Sequence, residues 1–215
     1  MSIVPPSIIH NFKNLKSNTV IIDTETTGLD YDAEIVEISI IDTKGNVLFD
    51  SLINPMRTIP DEAIAIHGIT NMEASLAPSF AEVLTQIRQI CHQKNVVFYN
   101  KKYDKRLIDQ TCRLHGYQTT DVWHCEFLCA MESYADFKKT PNPKGQGYRW
   151  HSLSNAAKQL GIDVPDNLHR ALPDALLTLE VIKAAHQVLI EKQQSTEQLE
   201  KTALKLPAKT LGETA

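Results

Sequence analysis

An α/β fold, with a central mixed sheet of five strands flanked by helices, is what the sequence predicts. Three observations carry this. Three apolar runs rich in β-branched residues follow one another early in the chain with short connections. Two strand-then-helix alternations come next, and a long amphipathic stretch opens near Pro173.

The first run spans Thr19 to Thr24, the second Glu34 to Thr43, and the third Asn46 to Ile53 after a "TKGN" turn, which reads as an antiparallel meander. From Ser79 to His92, Phe80, Val83, Leu84, Ile87, Ile90 and Cys91 recur at helical spacing behind Pro78 and Ser79. "NVVFYN" is a short strand, and a helix carrying Leu107, Ile108 and Cys112 follows it to Gly116. A fifth strand is expected in "DVWHCEFLCA", then a loop from Thr140 to Gly147 and a helix "SLSNAAKQLG" closed by Gly161. The longest helix is predicted to open at Pro173, with Leu172, Ala175, Leu176, Leu179, Ile182 and Leu189 on its buried face. Residues 1–17 are set apart as an N-terminal extension, 18–192 as one domain, and 193–215 as a polar tail.

With 215 residues the chain suits one core better than two. No apolar run approaches the ~20 residues of a bilayer span, so no membrane passage is expected. The prolines in "MSIVPPSIIHNFKNLKS" interrupt any secretory core. Cys91, Cys112, Cys125 and Cys129 lack the spacing of a disulfide framework and read as reduced thiols, which fits a cytoplasmic protein. A net charge of −4 argues against holding a polyanion by bulk electrostatics, so such a partner must be met locally.

The chemistry starts in "VIIDTETTGLD". Alternate strand residues share a face at roughly 6 to 7 Å, which places Asp23 and Glu25 side by side. Carboxylates that close repel unless one is protonated or a cation lies between them, and hard divalent ions take such oxygen ligands. Taken alone, the pair also suits a solvated strand end. Asn100 and Asp104 in "NKKYDKR" fit a helix cap and an acid at the positive end of the helix dipole as well as they fit a site. Asp174 in "HRALPDALL" has the same dipole explanation, and His169 alone reads as polar surface.

Together and in order, Asp-x-Glu-Thr-x-Gly, Asn-x-x-x-Asp and His-Arg-Ala-x-x-Asp resemble the three motifs of the DEDDh 3′-to-5′ exonuclease superfamily. This superfamily includes epsilon proofreading subunits of replicative polymerases, ribonuclease T and oligoribonuclease. The likeness runs from about Asn18 to Leu189 and implies a ribonuclease H-like fold. It implies hydrolysis with two ions, Mg²⁺ or Mn²⁺, about 3.5 to 4 Å apart. Asp23 would bridge both ions, Glu25 and Asp174 would complete one, and Asp104 would hold the other through water. His169 would be the general base. Leu29, Ile66, His67 and Tyr103 match positions that wedge or stack on the last base, the backbone at Thr26 meets the 3′ hydroxyl, and Asn100 belongs to the second motif. Nucleic acid with a free 3′ end is the implied partner. DNA is favoured over RNA, and a polymerase or repair partner is left open, as is the oligomeric state.

The second motif departs from the family in the cations Lys101, Lys102, Lys105 and Arg106 around its acid. These suit altered phosphate contact or a solvated helix face. Lys138, Lys139, Lys144 and Arg149 with Tyr148 and Trp150 form a second basic stretch, of the kind a single-strand groove uses. "HCE" at His124 to Glu126 lacks the Pro-Cys-x-x-Cys of a zinc deaminase. No Walker loop, Gly-x-Ser-x-Gly elbow or zinc-protease helix is present. The rival from another class is a module that holds nucleic-acid ends without cutting them.

Overall fold

Alternation within the strands assigns two opposite faces to one sheet. In a computed structural model, which describes residues 8–15, 18–118, 123 and 125–203, the strands are β1 (Thr19–Thr26), β2 (Ile35–Asp42), β3 (Val47–Leu52), β4 (Asn95–Phe98) and β5 (Glu126–Cys129). They lie in the order β3-β2-β1-β4-β5. The β1–β2 and β2–β3 pairs are antiparallel, whereas β1–β4 and β4–β5 are parallel, so the sheet is mixed as expected. β1 is central, and its Val20, Ile21 and Ile22 are all buried. Burial on both faces explains why β1 and β2 read as unbroken apolar runs.

The helices are α1 (Ile8–Leu15), α2 (Asp61–His67), α3 (Asn71–Ser75), α4 (Phe80–Cys91), α5 (Lys101–Leu114), α6 (Ala130–Lys138), α7 (Leu153–Gln159) and α8 (Ala171–Ala203). Ile21, Ile41, Val97 and Leu128 face one way, onto a layer drawn from α1, α6, α7 and α8. Val20, Ile22, Ile40, Val96 and Phe98 face the other way, onto Phe80, Leu84 and Ile87 of α4 and Ile108 and Cys112 of α5. The parity of β1 thus sends residues 21, 23 and 25 toward α8, and residues 20, 22 and 24 toward α5.

Several expectations shift. α8 opens at Ala171, two residues before Pro173, because the first four N–H groups of a helix have no internal partner and a missing one costs nothing there. Its polar end continues to Ala203, since Glu, Lys, Gln and Leu favour helix even without a buried face. α6 was not foreseen: Ala130, Met131, Ser133, Tyr134 and Ala135 are all buried, which leaves no clean apolar stripe to read. α2 and α3 occupy a stretch punctuated by Pro60 and Gly68. Gly68 closes α2 in the left-handed region at φ 75°, and a Thr70–Glu73 capping box opens α3. Within "DVWHCEFLCA" the strand is confined to Glu126–Cys129, and Asp121, Val122 and His124 lie outside the described residues.

The stretch set apart as an N-terminal extension supplies part of the core. Ile8, Ile9 and Phe12 of α1 are buried against α6 and α8. The Ile8 N–H donates to Ser133 Oγ at 3.2 Å, and the Ile9 carbonyl lies 2.7 Å from His186 Nδ1 on α8. Burial of each such side chain is worth about 1.5–3 kcal/mol. Ile9→Ala is therefore expected to lower unfolding stability by about 2–5 kcal/mol. Urea denaturation measures it, and a loss within error would make α1 dispensable.

Candidate active site

The site lies at the carboxyl end of β1, the location where open α/β sheets present their ligand crevices. Asp23 and Glu25 point from β1 toward α8, whose first turn presents Asp174. One carboxylate oxygen from each of the three lies within 4.8 Å of the others. Asp104 arrives from the opposite layer, in the first turn of α5, and is buried. Thr24, whose side chain has the other parity, donates to Asp104 Oδ1 at 3.1 Å and ties it to β1. The structure thus gathers the four acids singled out in the sequence, three as a tight group and Asp104 beside them.

Their electrostatics follow from burial and crowding. Desolvation pushes Asp23 well above the usual carboxylate range, and the charges of Asp104, Asp174 and Glu25 push it further. Glu25 is raised to about 8, first by desolvation and then by Asp174 and Glu37. Asp104 rises to about 7 through desolvation, against the opposing bond from Thr24. Asp174 rises to about 6 through desolvation, moderated by the backbone and charge of His169. Asp174 Oδ1 is buried with no hydrogen-bond partner among the described residues. An unpaired buried carboxylate oxygen is costly, and a hard divalent cation satisfies it with the ligands already present.

His169 stands exposed immediately before α8, at φ 67°. For a residue other than glycine that conformation costs on the order of 1–2 kcal/mol. The neighbouring residue holds it. Arg170 forms a two-pronged ion pair with Glu37, through Nε at 3.1 Å and Nη2 at 2.6 Å, and the Ala171 N–H donates to Glu37 Oε2 at 2.8 Å. Glu37 pairs with Glu25 across β1 and β2. Sequence reasoning passed over both Glu37 and Arg170. The signal was an acid inside the buried apolar run "IVEISII".

Beside the acids is a cavity of about 350 Å³ lined by Glu25, Thr26, Leu29, Ile66, His67 and Tyr103, among others. Leu29 and Ile66, exposed at 73% and 60%, give this cavity two apolar walls. Thr26 Oγ1 donates to the Gly28 carbonyl and lies 3.2 Å from the Tyr103 hydroxyl. His67 is buried, its Nδ1 accepts from the Ile69 N–H at 3.0 Å, and desolvation lowers its pKa. The neutral ring therefore carries its proton on Nε2, which makes no well-formed hydrogen bond among the described residues, although the nearby Thr26 backbone favours the proton on the ring. Asn100 does not line this cavity. It precedes α5, and its carbonyl accepts from the N–H groups of Tyr103 and Asp104. Lys138 ends α6, and Lys139, Lys144 and Arg149 follow on a segment braced by a Pro141–Tyr148 bridge; all four are exposed.

Comparison with known proteins gives the class. Over residues 20–182 the sequence matches the family described as Exonuclease, and the chain belongs to that family. More particularly, it is 40% identical over 190 residues to an uncharacterized exonuclease, CP81, of Escherichia phage 186, a match that spans 86% of this chain and 96% of that protein. It is 26% identical to the DNA polymerase III epsilon subunit of Aquifex aeolicus, over 82% of this chain and 84% of that one. Exonuclease X in complex with 5′ overhanging duplex DNA superposes with a TM-score of 0.54 at 27% identity, covering 82% and 93% of the two chains. The E. coli exonuclease I complex with single-stranded DNA shares the fold, with a TM-score of 0.66 at 19% identity over 80% of this chain and 41% of that one. The protein is an exonuclease of this family. No helix among the described residues is long and apolar enough to cross a membrane.

The raised carboxylates fix a pH dependence. Each holds a proton in the fold at a pH where the unfolded chain has lost it, so stability is present at lower pH and is lost as pH rises through the folded pKa. Between about pH 6.5 and 8.5, histidines buried as neutral rings and ordinary thiols contribute little slope. In chelator, the Tm is expected to fall across that window as Asp104 and Glu25 ionise, near about 7 and about 8. A Tm that rises over the window would contradict the crowding described above.

Proposed function

We propose that the protein removes nucleotides from single-stranded DNA 3′ ends, releasing nucleoside 5′-monophosphates. The unpartnered Asp174 Oδ1 within four crowded acids, beside a cavity with apolar walls, carries this reading. Asp23, Glu25, Asp104 and Asp174 would hold two divalent cations, Mg²⁺ or Mn²⁺, whose chemistry when bound is to stabilise the attacking and leaving oxygens of an in-line displacement.

The remaining work falls to the protein. The terminal base would lie between Leu29 and Ile66, with His67 Nε2–H donating to the nucleotide and the backbone at Thr26 meeting the 3′ hydroxyl. Tyr103 would close the wall next to the scissile phosphate. His169, at the edge of the cluster, would accept the proton of the water that attacks phosphorus. The bond to the preceding nucleotide's 3′ oxygen then breaks, leaving a new 3′ hydroxyl on the shortened strand. The likeness to epsilon subunits extends the reading to a polymerase or repair partner.

A strand labelled at its 5′ end is expected to give a descending ladder with Mg²⁺ or Mn²⁺ and to be inert in chelator, with a 3′-phosphate hindering cutting. Early loss of the 5′ label would overturn the polarity. Matched RNA should be cut more slowly, and faster cutting of RNA would replace DNA as the substrate. His169→Ala should lower turnover by roughly 10² to 10⁴-fold while metal binding persists, whereas Asp23→Ala should weaken metal binding itself. Equal loss of metal affinity in the two variants would make His169 a ligand.

A further inference from the structure

The cations around the second motif do not face the carboxylates. Along α5, Asp104, Leu107, Ile108 and Thr111 are buried and form the inward stripe. At 3.6 residues per turn, Lys102, Arg106, Asp109 and Arg113 fall on the opposite side, with Lys101 and Lys105 at its margin. These six side chains and Glu132 line a separate cavity of about 470 Å³. Five cations therefore meet two acids, on a chain of net charge −4.

Lys105 and Arg106 make contacts within the fold, but the crowding of the five cations works against their own helix. Lys101 with Lys105 and Lys102 with Arg106 are like-charged pairs at i and i+4, which destabilise a helix. Lys101 and Lys102 also occupy the first turn, where the helix dipole disfavours positive charge. Among the described residues one of the five cations, Lys105, forms an ion pair, with Asp109. Positive charge gathered against its own helix suits an anion brought from outside.

The position of Arg106 indicates which anion. Its Nη2 donates to the Leu29 carbonyl at 3.2 Å, and its guanidinium lies 5.7 Å from the centre of the Tyr103 ring. Leu29 and Tyr103 line the cavity beside the carboxylates, so the two cavities share a wall at Arg106. From Lys101 to Arg113 the helix runs about 18 Å at 1.5 Å per residue, room for a few successive phosphates. We propose that this basic groove holds the phosphodiester backbone of the strand being degraded, upstream of the reacting end. The inference rests on the exonuclease reading of the carboxylate site, and it gives these cations a role in holding long substrates rather than in the chemical step.

The test compares the parent with K101Q/K102Q/R113Q. On the p-nitrophenyl ester of thymidine 5′-monophosphate, which has no upstream phosphate, the two are expected to turn over alike. On a long single strand the variant's KM should rise about tenfold or more, with kcat little changed. Binding of the same strand, read by anisotropy in chelator, should lose about 2 from its log–log salt slope, at ~0.7 per phosphate contact. An unchanged KM and slope would overturn the proposal, as would an effect confined to duplexes, which would assign the groove to the complementary strand. Because like charges are removed, the variant's Tm should equal or exceed the parent's. A lower Tm would mean that the cations serve the fold. If the parent cut neither the ester nor any free 3′ end, the exonuclease reading would fail, while the anisotropy comparison would still score the groove.

Discussion

Four carboxylates, Asp104 buried and Asp23, Glu25 and Asp174 half-buried, crowd the end of one strand and set the conditions that the surrounding structure meets. Left to themselves they would part or take up protons, and desolvation pushes all four toward protonation. Rigid placement resists the first course. β1 carries two of the acids on the middle strand of the sheet, where pairing with β2 runs past both of them and pairing with β4 anchors the strand up to Ile21. α5 and α8 deliver the other two from opposite layers. Thr24 and Glu37, neither of them in the tight acidic group, hold those helices to the sheet by direct hydrogen bonds.

The two layers divide the labour. The α8 side supplies the charge that closes the acidic cluster and the histidine beside it, with Arg170 clamped on Glu37. The α5 side supplies Asp104 inward, Tyr103 at the cavity wall and a row of cations outward. A single helix therefore turns an acid toward the carboxylate group on one side and a row of cations away from it on another. On the groove proposed above, this reconciles an acidic chain with a polyanionic substrate, because attraction is local and is turned away from the carboxylates it would otherwise neutralise.

The gathering of the acids was legible in the sequence because motif order survives in one dimension: the acids at 23, 25, 104 and 174 keep identity and spacing even where each taken singly suits a strand end or a helix cap. The sheet was legible for a related reason, since β1, β2 and β4 are apolar runs bounded by turn residues. What escaped was whatever depends on a distant partner. α1 looked like an appendage because nothing in "SIIHNFKNL" announces that α6 and α8 wait for its apolar side. α6 is buried too evenly to show a period. Glu37 looked like one polar residue in a strand until Arg170, far along the chain, was beside it. The charges around Asp104 suited either altered phosphate contact or a solvated helix face, because spacing alone does not show which way a helix turns them.

The placement of Asp174 on the last helix has a consequence for how the protein comes into being. Asp23 is made early in synthesis and Asp174 late, so at typical elongation rates on the order of ten seconds separates them. Until α8 emerges and docks, β1 offers a partial ligand set and no clamp for His169. Parallel pairing of β1 with β4 and docking of α1 on α8 are also long-range steps, which close slowly. The acidic group of Asp23, Glu25 and Asp174 is thus assembled only once the last helix has docked.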